Sequence, residues 1–178
     1  MSKLLAELAG EEFAAQYTMV TVTGCRVKKE TMSMYIDIDS EEFPCTLPLD
    51  ALKEKIFEKF GISKVHFAFQ YRNFSLTDEN FAAFYETVLK TLCEENKTLS
   101  NILLGSTGER KGDVLEISLR FGGERTLLEK SVDTLAEQLI SKAFGISLKV
   151  LFVSANKAES EIMKLLEEEK NRVIAGSA

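Results

Sequence analysis

The sequence predicts an α+β protein of two small α/β modules, each with an amphipathic helix layer on a small, mainly antiparallel sheet. An internal repeat supports this prediction, because the tetrapeptide FGIS occurs at residues 60–63 and again at residues 144–147. Each copy follows apolar residues at helical spacing and precedes the alternating apolar residues typical of a strand. We interpret the glycine of each copy as a left-handed helix C-cap, where the chain reverses from helix to strand.

The first module, residues 1–73, is predicted to have the order α-β-β-α-β. Its clearest element is the second strand, where apolar Met34, Ile36 and Ile38 alternate with polar side chains. The predicted elements are a helix over residues 2–15 that breaks near Gly10, strands over 17–28 and 31–39, a helix over 49–60 and a strand over 64–71.

The second module, residues 74–156, is predicted to have the order α-α-β-α-β. We place the boundary in the polar segment 73–78, where Thr77 or Asp78 can cap the next helix. The predicted elements are helices over residues 78–95 and 98–104, a strand over 113–121, a helix ending at Phe144 and a strand over 148–152. Residues 157–178 are predicted to form a charged helix or linker.

Composition restricts the class of protein. The net charge of −6 opposes non-specific attraction to nucleic acid, although it permits a local basic strip. No apolar run approaches the roughly 18 residues that span a bilayer, and the first residues lack a secretory pattern, so we expect a cytoplasmic protein without membrane contact. Three cysteines without metal-ligand spacing, Cys25, Cys45 and Cys93, are expected to be reduced.

The sequence predicts no catalytic residue, no metal site and no cofactor in this segment. The single histidine, His66, falls on the polar face of a predicted strand and lacks an evident nucleophile or orienting carboxylate. Asp37 and Asp39 share one strand face, and the polar side of an amphipathic strand accounts for both. The segment 105–112 does not match a Walker motif.

Residues 105–112 nevertheless supply the candidate binding site. The GSTG sequence at 105–108 matches the GxxG pattern with which KH domains clamp a nucleic-acid backbone. A KH loop joins two helices, whereas this segment leads into the strand predicted from Asp113, so an ordinary flexible loop with incidental charge is the alternative. A second basic group, Arg26, Lys28 and Lys29, lies at the first hairpin, where surface solubility explains it equally well. The candidate nucleic-acid-binding residues are Gly105, Gly108, Arg110 and Lys111.

The order of elements resembles the N-terminal region of the PolC-type DNA polymerase III alpha subunit. The resemblance covers nearly the whole chain. It rests on layout, on the FVS sequence at 152–154 leading into a charged helix, and on the GDVLEI sequence at 112–117. It implies a partner-binding first domain similar to the C-terminal domain of the clamp-loader tau subunit, then a KH-like second domain. Residues 157–178 would then lead toward downstream domains.

The same resemblance implies a function in DNA replication. This segment would be non-catalytic, in a DNA-directed DNA polymerase with 3'-5' exonuclease, and would contact single-stranded nucleic acid, a replisome protein such as a clamp-loader subunit, or both. None of the family's catalytic carboxylates or metal-binding histidines has a matching motif here. Only Gly105 and Gly108 are carried over, as KH-like residues.

Two other functions remain open. A free-standing KH-like module that binds single-stranded nucleic acid would need the GSTG segment and its Arg–Lys pair to act as a clamp. A small-molecule regulatory domain of the ACT kind would use the duplicated α/β modules to hold a ligand at their interface, a reading supported by fold-level analogy alone.

Overall fold

Helices and strands follow one another in nearly the order that the repeat predicts. The structure, a computed structural model, describes residues 1–94, 96–155 and 157–176, with side chains described outside 157–164. The helices are α1 (Lys3–Ala9), α2 (Glu11–Ala15), α3 (Leu49–Phe60), α4 (Phe81–Glu94), α5 (Lys97–Leu103), α6 (Glu124–Glu129), α7 (Val132–Phe144) and α8 (Lys157–Gly176). The strands are β1 (Val20–Lys28), β2 (Ser33–Ser40), β3 (Lys64–Tyr71), β4 (Thr107–Lys111), β5 (Val114–Leu119) and β6 (Lys149–Ser154). Within the described ranges, no helix combines the length and the apolar character needed to cross a membrane.

Each sheet has three strands of mixed direction. In the first sheet, of order β1-β2-β3, β1 is antiparallel to β2 and β2 is parallel to β3; the second sheet, of order β4-β5-β6, repeats this arrangement. The predicted α+β fold of two small modules is confirmed, while the sheets are mixed rather than mainly antiparallel. The helical crossover is the reason, because a helix between consecutive strands returns the chain so that both strands run the same way.

The two sheets also match in register. Met34 pairs with Val65 in the first sheet, and Leu115 pairs with Val150 at the equivalent point of the second. All four side chains are buried on the core face. The repeat seen in the sequence is therefore a repeat of β-β-α-β structure.

The two FGIS glycines cap their helices as predicted. Gly61 has φ of 70° and its N–H donates to the Phe57 carbonyl at 2.8 Å. Gly145 has φ of 67° and its N–H donates to the Ser141 carbonyl at 3.0 Å. Glycine suits both positions because it adopts a left-handed conformation without a Cβ clash.

Helices α1 and α3 pack against one face of the first sheet. Helices α1 and α3 contribute Leu5, Leu8, Leu52 and Ile56 to a core that Ile36 completes from the sheet. The other buried members of this core are Ala14, Val20, Val22, Met34, Ile38, Leu47, Ile62 and Val65. Side chains of β3 that point away from it are exposed. This second face of the sheet is therefore exposed along β3, while on the central strand Tyr35 is half-buried and Ser33 is buried.

By their contacts, the residues form two compact units. The first contains residues 1–84 together with 138–147, and the second contains 85–137 together with the residues from 148 onward. This division differs from the sequence boundary at residues 73–74. An aromatic cluster within the first unit accounts for the difference, because Phe84 and Phe144 both pack there: the rings are Phe43, Tyr71, Phe74, Phe84 and Phe144.

Candidate nucleic-acid interface

The GSTG segment is not a loop between two helices. It leaves α5 and enters β4 at Thr107, so that the stretch predicted to be a flexible loop forms a β-hairpin with β5. The consecutive helices α6 and α7 are joined by Lys130 and Ser131, neither of which is glycine. The segment at 105–108 therefore lacks the helix-loop-helix setting of a KH clamp.

Both glycines of the segment are explained by the fold. Gly105 has φ of 71°, a backbone conformation that favours glycine. A Cβ on Gly108 would lie 2.5 Å from the Tyr85 ring, a distance that no side chain tolerates. Between them, the Ser106 hydroxyl hydrogen-bonds the Tyr85 hydroxyl at 2.7 Å. Gly108 and Ser106 thus serve the packing of Tyr85 against the hairpin, and Gly105 serves the backbone turn before it.

The two cations of the segment are held by their own hairpin. Arg110 and Lys111 are adjacent in β4, so their side chains leave opposite faces of the strand. Arg110 Nε donates to the Gly112 carbonyl at 3.1 Å. Lys111 Nζ donates to Glu116 at 3.0 Å and lies 3.7 Å from Glu109. The hydrogen bond to Glu116 and then the two carboxylate charges raise the pKa of Lys111.

The predicted residues therefore do not form one cationic clamp. Gly105 is explained by its backbone conformation and Gly108 by its contact with Tyr85, while Arg110 and Lys111 point apart with carboxylate or carbonyl partners close by. Two predictions are corrected: residues 107–111 form strand β4 rather than a flexible loop, and the four residues do not come together in one site. Whether they touch nucleic acid stays a prediction.

A different basic surface lies on the open face of the first sheet. Register places Lys28, Ser33 and Lys64 in one row across the three strands, and Arg26, Tyr35 and His66 in the next row. Both lysines, Arg26 and His66 are exposed, and Tyr35 is half-buried. We call these two rows the open-face site; it consists of Arg26, Lys28, Ser33, Tyr35, Lys64 and His66.

The second row of the open-face site is a stack of flat groups. The Tyr35 and His66 rings have centroids 4.9 Å apart and an angle of 18° between their planes. The Arg26 guanidinium lies over the Tyr35 ring, with its central carbon 5.8 Å from the ring centroid. Arginine above an aromatic face gains from the ring's negative quadrupole, so Tyr35 also fixes the position of this cation.

Charge is distributed unevenly around the open-face site. Lys28 and Lys64 form no ion pair with any residue that the structure describes. The turn that follows Lys28 contains one further cation, Lys29, and one carboxylate, Glu30. The carboxylate on the far side of the stack is Asp37, which lies 4.0 Å from Arg26. The positive charge of the open-face site is therefore concentrated at the β1–β2 hairpin.

The equivalent rows of the second sheet have a different character. Glu109, Glu116 and Leu151 occupy the positions that Arg26, Tyr35 and His66 hold in the first sheet. In the row corresponding to Lys28 and Lys64, Lys111 is paired with carboxylates and Lys149 lies 3.6 Å from Glu137. Of the two repeated sheets, the first alone combines lysines that form no ion pair with an exposed histidine ring.

Acidic side chains do not gather into a metal-binding group. In the parts of the chain that the structure describes, no three or more histidine, cysteine, aspartate or glutamate side chains are placed to share an ion. Asp39 instead accepts hydrogen bonds from Arg72, and Asp37 lies beside Arg26. Both aspartates thus belong to the polar face of the strand.

Sequence reasoning noted Arg26 and Lys28 but missed the open-face site. The alternation in residues 31–39 places Tyr35 on the polar face of its strand, as His66 is on the polar face of its own, and this was the available signal. Their contact depends on the parallel register of β2 and β3, and nothing local in the sequence specifies that register. Comparison with protein-family models and with curated proteins finds no match to this chain.

Proposed function

We propose that this chain is a non-catalytic, nucleic-acid-contacting region of a PolC-type DNA polymerase III that acts in the cytoplasm during DNA replication. The observation that carries the proposal is the open-face site, where Arg26, Lys28 and Lys64 lie around the stacked Tyr35 and His66 rings, of which His66 is exposed. Single-strand-binding proteins combine backbone-tracking cations with aromatic rings in this way. The layout of the whole chain supports the polymerase assignment through the resemblance described above.

The charges of the open-face site favour weak binding of single-stranded nucleic acid. Three or four cations oppose an overall charge of −6, so the affinity is modest and sensitive to salt. At about −0.7 logarithmic units per phosphate contact, three to four contacts give a slope of about −2 to −3. Raising the salt from ~50 to ~200 mM then weakens binding roughly 20- to 50-fold.

Fluorescence anisotropy of a labelled oligothymidylate with the whole chain tests the proposal. Lys28→Gln with Lys64→Gln is expected to reduce both the affinity and the salt slope, because it removes two unpaired cations. The matched control is Lys111→Gln with Lys149→Gln, which changes the net charge equally at the equivalent positions of the second sheet. Absence of binding at low salt, or a loss confined to the control, contradicts the proposal.

The same mixtures test the non-catalytic part. With Mg²⁺ and deoxynucleotides present, a primed template is expected to be neither extended nor shortened by this chain. Extension or digestion above background that disappears on Asp37→Asn or Asp39→Asn overturns this part. If no oligonucleotide binds, contact with a replisome protein such as a clamp-loader subunit is the function left to test.

A further inference from the structure

Strand order fixes which ring face of the open-face site is available. Strands β1 and β3 flank β2 on opposite sides, so Arg26 on β1 and His66 on β3 cover opposite faces of the Tyr35 ring. Tyr35 is therefore enclosed on both faces. His66 uses one face against Tyr35, and no other described ring or cation stacks on its second face.

The second face of His66 lies at an accessible edge. β3 is the outer strand of its sheet, and His66 is exposed. An aromatic face that is open at the end of a rigid stack suits one more flat group, since offset stacking is favourable between π systems. Stacking on Tyr35 orients the imidazole before any ligand binds.

The charge beside this face specifies the rest of the ligand. Lys64 precedes His66 by two residues on the same strand, so the two side chains leave the same face of the sheet. Lys28 lies in the row of Lys64, on the same side of the stack. A ligand with a flat ring and an adjoining anion, repeated along a chain, fits this arrangement.

We infer that His66 is a stacking site for one unpaired nucleobase of a single strand, with the adjoining phosphates placed against Lys64 and Lys28. The inference rests on the proposed function and names the ligand and mode of that same site. A base paired within a duplex has both faces covered by its neighbours, so the site selects unpaired bases. The second sheet offers no such site, because Leu151 replaces the histidine and Glu116 replaces the tyrosine.

The chain contains no tryptophan, which permits a direct test. In the His66→Trp variant the new indole is the only one, and its fluorescence is expected to be quenched by an oligothymidylate through stacking. An oligonucleotide that is abasic throughout, with the same phosphates, is expected to quench it little. Equal quenching by both oligonucleotides overturns the inference.

Anisotropy titrations supply the second readout. His66→Ala is expected to weaken oligothymidylate binding about 5- to 150-fold, the range for loss of one stacked base. His66→Phe keeps a flat ring and is expected to restore most of the affinity, whereas Gln70→Ala on the same strand face is expected to leave it unchanged. Loss of affinity in His66→Phe equal to that in His66→Ala contradicts stacking.

Failure of the inference and failure of the proposed function look different. If oligonucleotides bind and the lysine variants weaken them, while His66→Ala binds normally and His66→Trp is not quenched, the stacking site is wrong and the function stands. If neither the unaltered chain nor any variant binds an oligonucleotide at low salt, both are overturned.

Discussion

The two copies of FGIS provide a matched pair of phenylalanines with opposite environments. Phe144 is 2% exposed, whereas Phe60, at the same place in the first copy, is 45% exposed. Phe144 lies within 4.7–5.3 Å, centroid to centroid, of four other rings: Phe43, Tyr71, Phe74 and Phe84. Phe60 has the Lys59 ammonium 5.4 Å from its ring centroid. Alanine at these two positions should therefore have very different effects.

The magnitudes follow from burial. Phe144→Ala removes a fully buried ring and leaves a cavity, which costs about 3–5 kcal/mol of unfolding free energy. The upper part of that range applies because each aromatic pair adds about 0.5–1.5 kcal/mol. Full burial of a phenylalanine side chain contributes about 1.5–3 kcal/mol, so Phe60→Ala, with nearly half of the ring already in water, should cost about 1 kcal/mol. Solvent also fills the space that the smaller side chain leaves.

Thermal unfolding followed by circular dichroism measures the difference. At about 2–4 °C per kcal/mol for a chain of this size, Phe144→Ala should lower the Tm by about 10–15 °C and Phe60→Ala by about 3 °C. Equal shifts in the two variants would show that the aromatic cluster does not hold Phe144 as described.

Three further predictions concern Gly108, Tyr71 and the aromatic cluster of the first unit. Gly108→Ala should cost about 1–3 kcal/mol, because its Cβ meets the Tyr85 ring, and adding Tyr85→Ala should cost less than the two single changes predict in urea unfolding. Burial raises the pKa of Tyr71, so the folded protein keeps a proton that the unfolded chain releases near pH 10; stability should fall above that pH, and less so in Tyr71→Phe, as urea midpoints at pH 9 and 11 can show. A fragment of residues 1–73 lacks three of the five clustered rings, Phe74, Phe84 and Phe144, and should leave Phe43 and Tyr71 exposed; it should bind a hydrophobic dye and melt without the cooperativity of the whole chain, and sharp melting would contradict the importance of that cluster.

Local patterns were enough to predict most of the elements. The helix ending at Phe60 and the strand at 64–71 match the structure because their apolar spacing and their glycine signal are both within one stretch of chain. The break of the first helix at Gly10 also matches, since Gly10 has φ of 93° and separates α1 from α2.

Strand β4 was missed because its sequence, TGERK, carries no apolar alternation. Its strand structure depends on pairing with β5, in which Leu115 and Ile117 face the core. A strand defined by its partner leaves no local signal, so the segment was predicted to be a loop.

The binding site predicted from the sequence differs from the open-face site for a related reason. The GxxG spacing at Gly105 and Gly108 suggested a backbone clamp, but spacing alone does not show that Tyr85 occupies the space beside Gly108. The stack of Tyr35 on His66 needs residues 31 positions apart to meet in parallel register. This contact is set by the pairing of the two strands in the folded sheet, and no local sequence pattern predicts it.

The central claim is that nucleic acid binds the open face of the first sheet. Chemical-shift mapping of backbone amides during titration with an oligothymidylate tests it most directly. The account predicts the largest shifts at Tyr35, Lys64 and His66, with little change at the equivalent positions Glu116 and Leu151 of the second sheet. Shifts confined to the β4–β5 hairpin, or no shifts at saturating oligonucleotide, would contradict it.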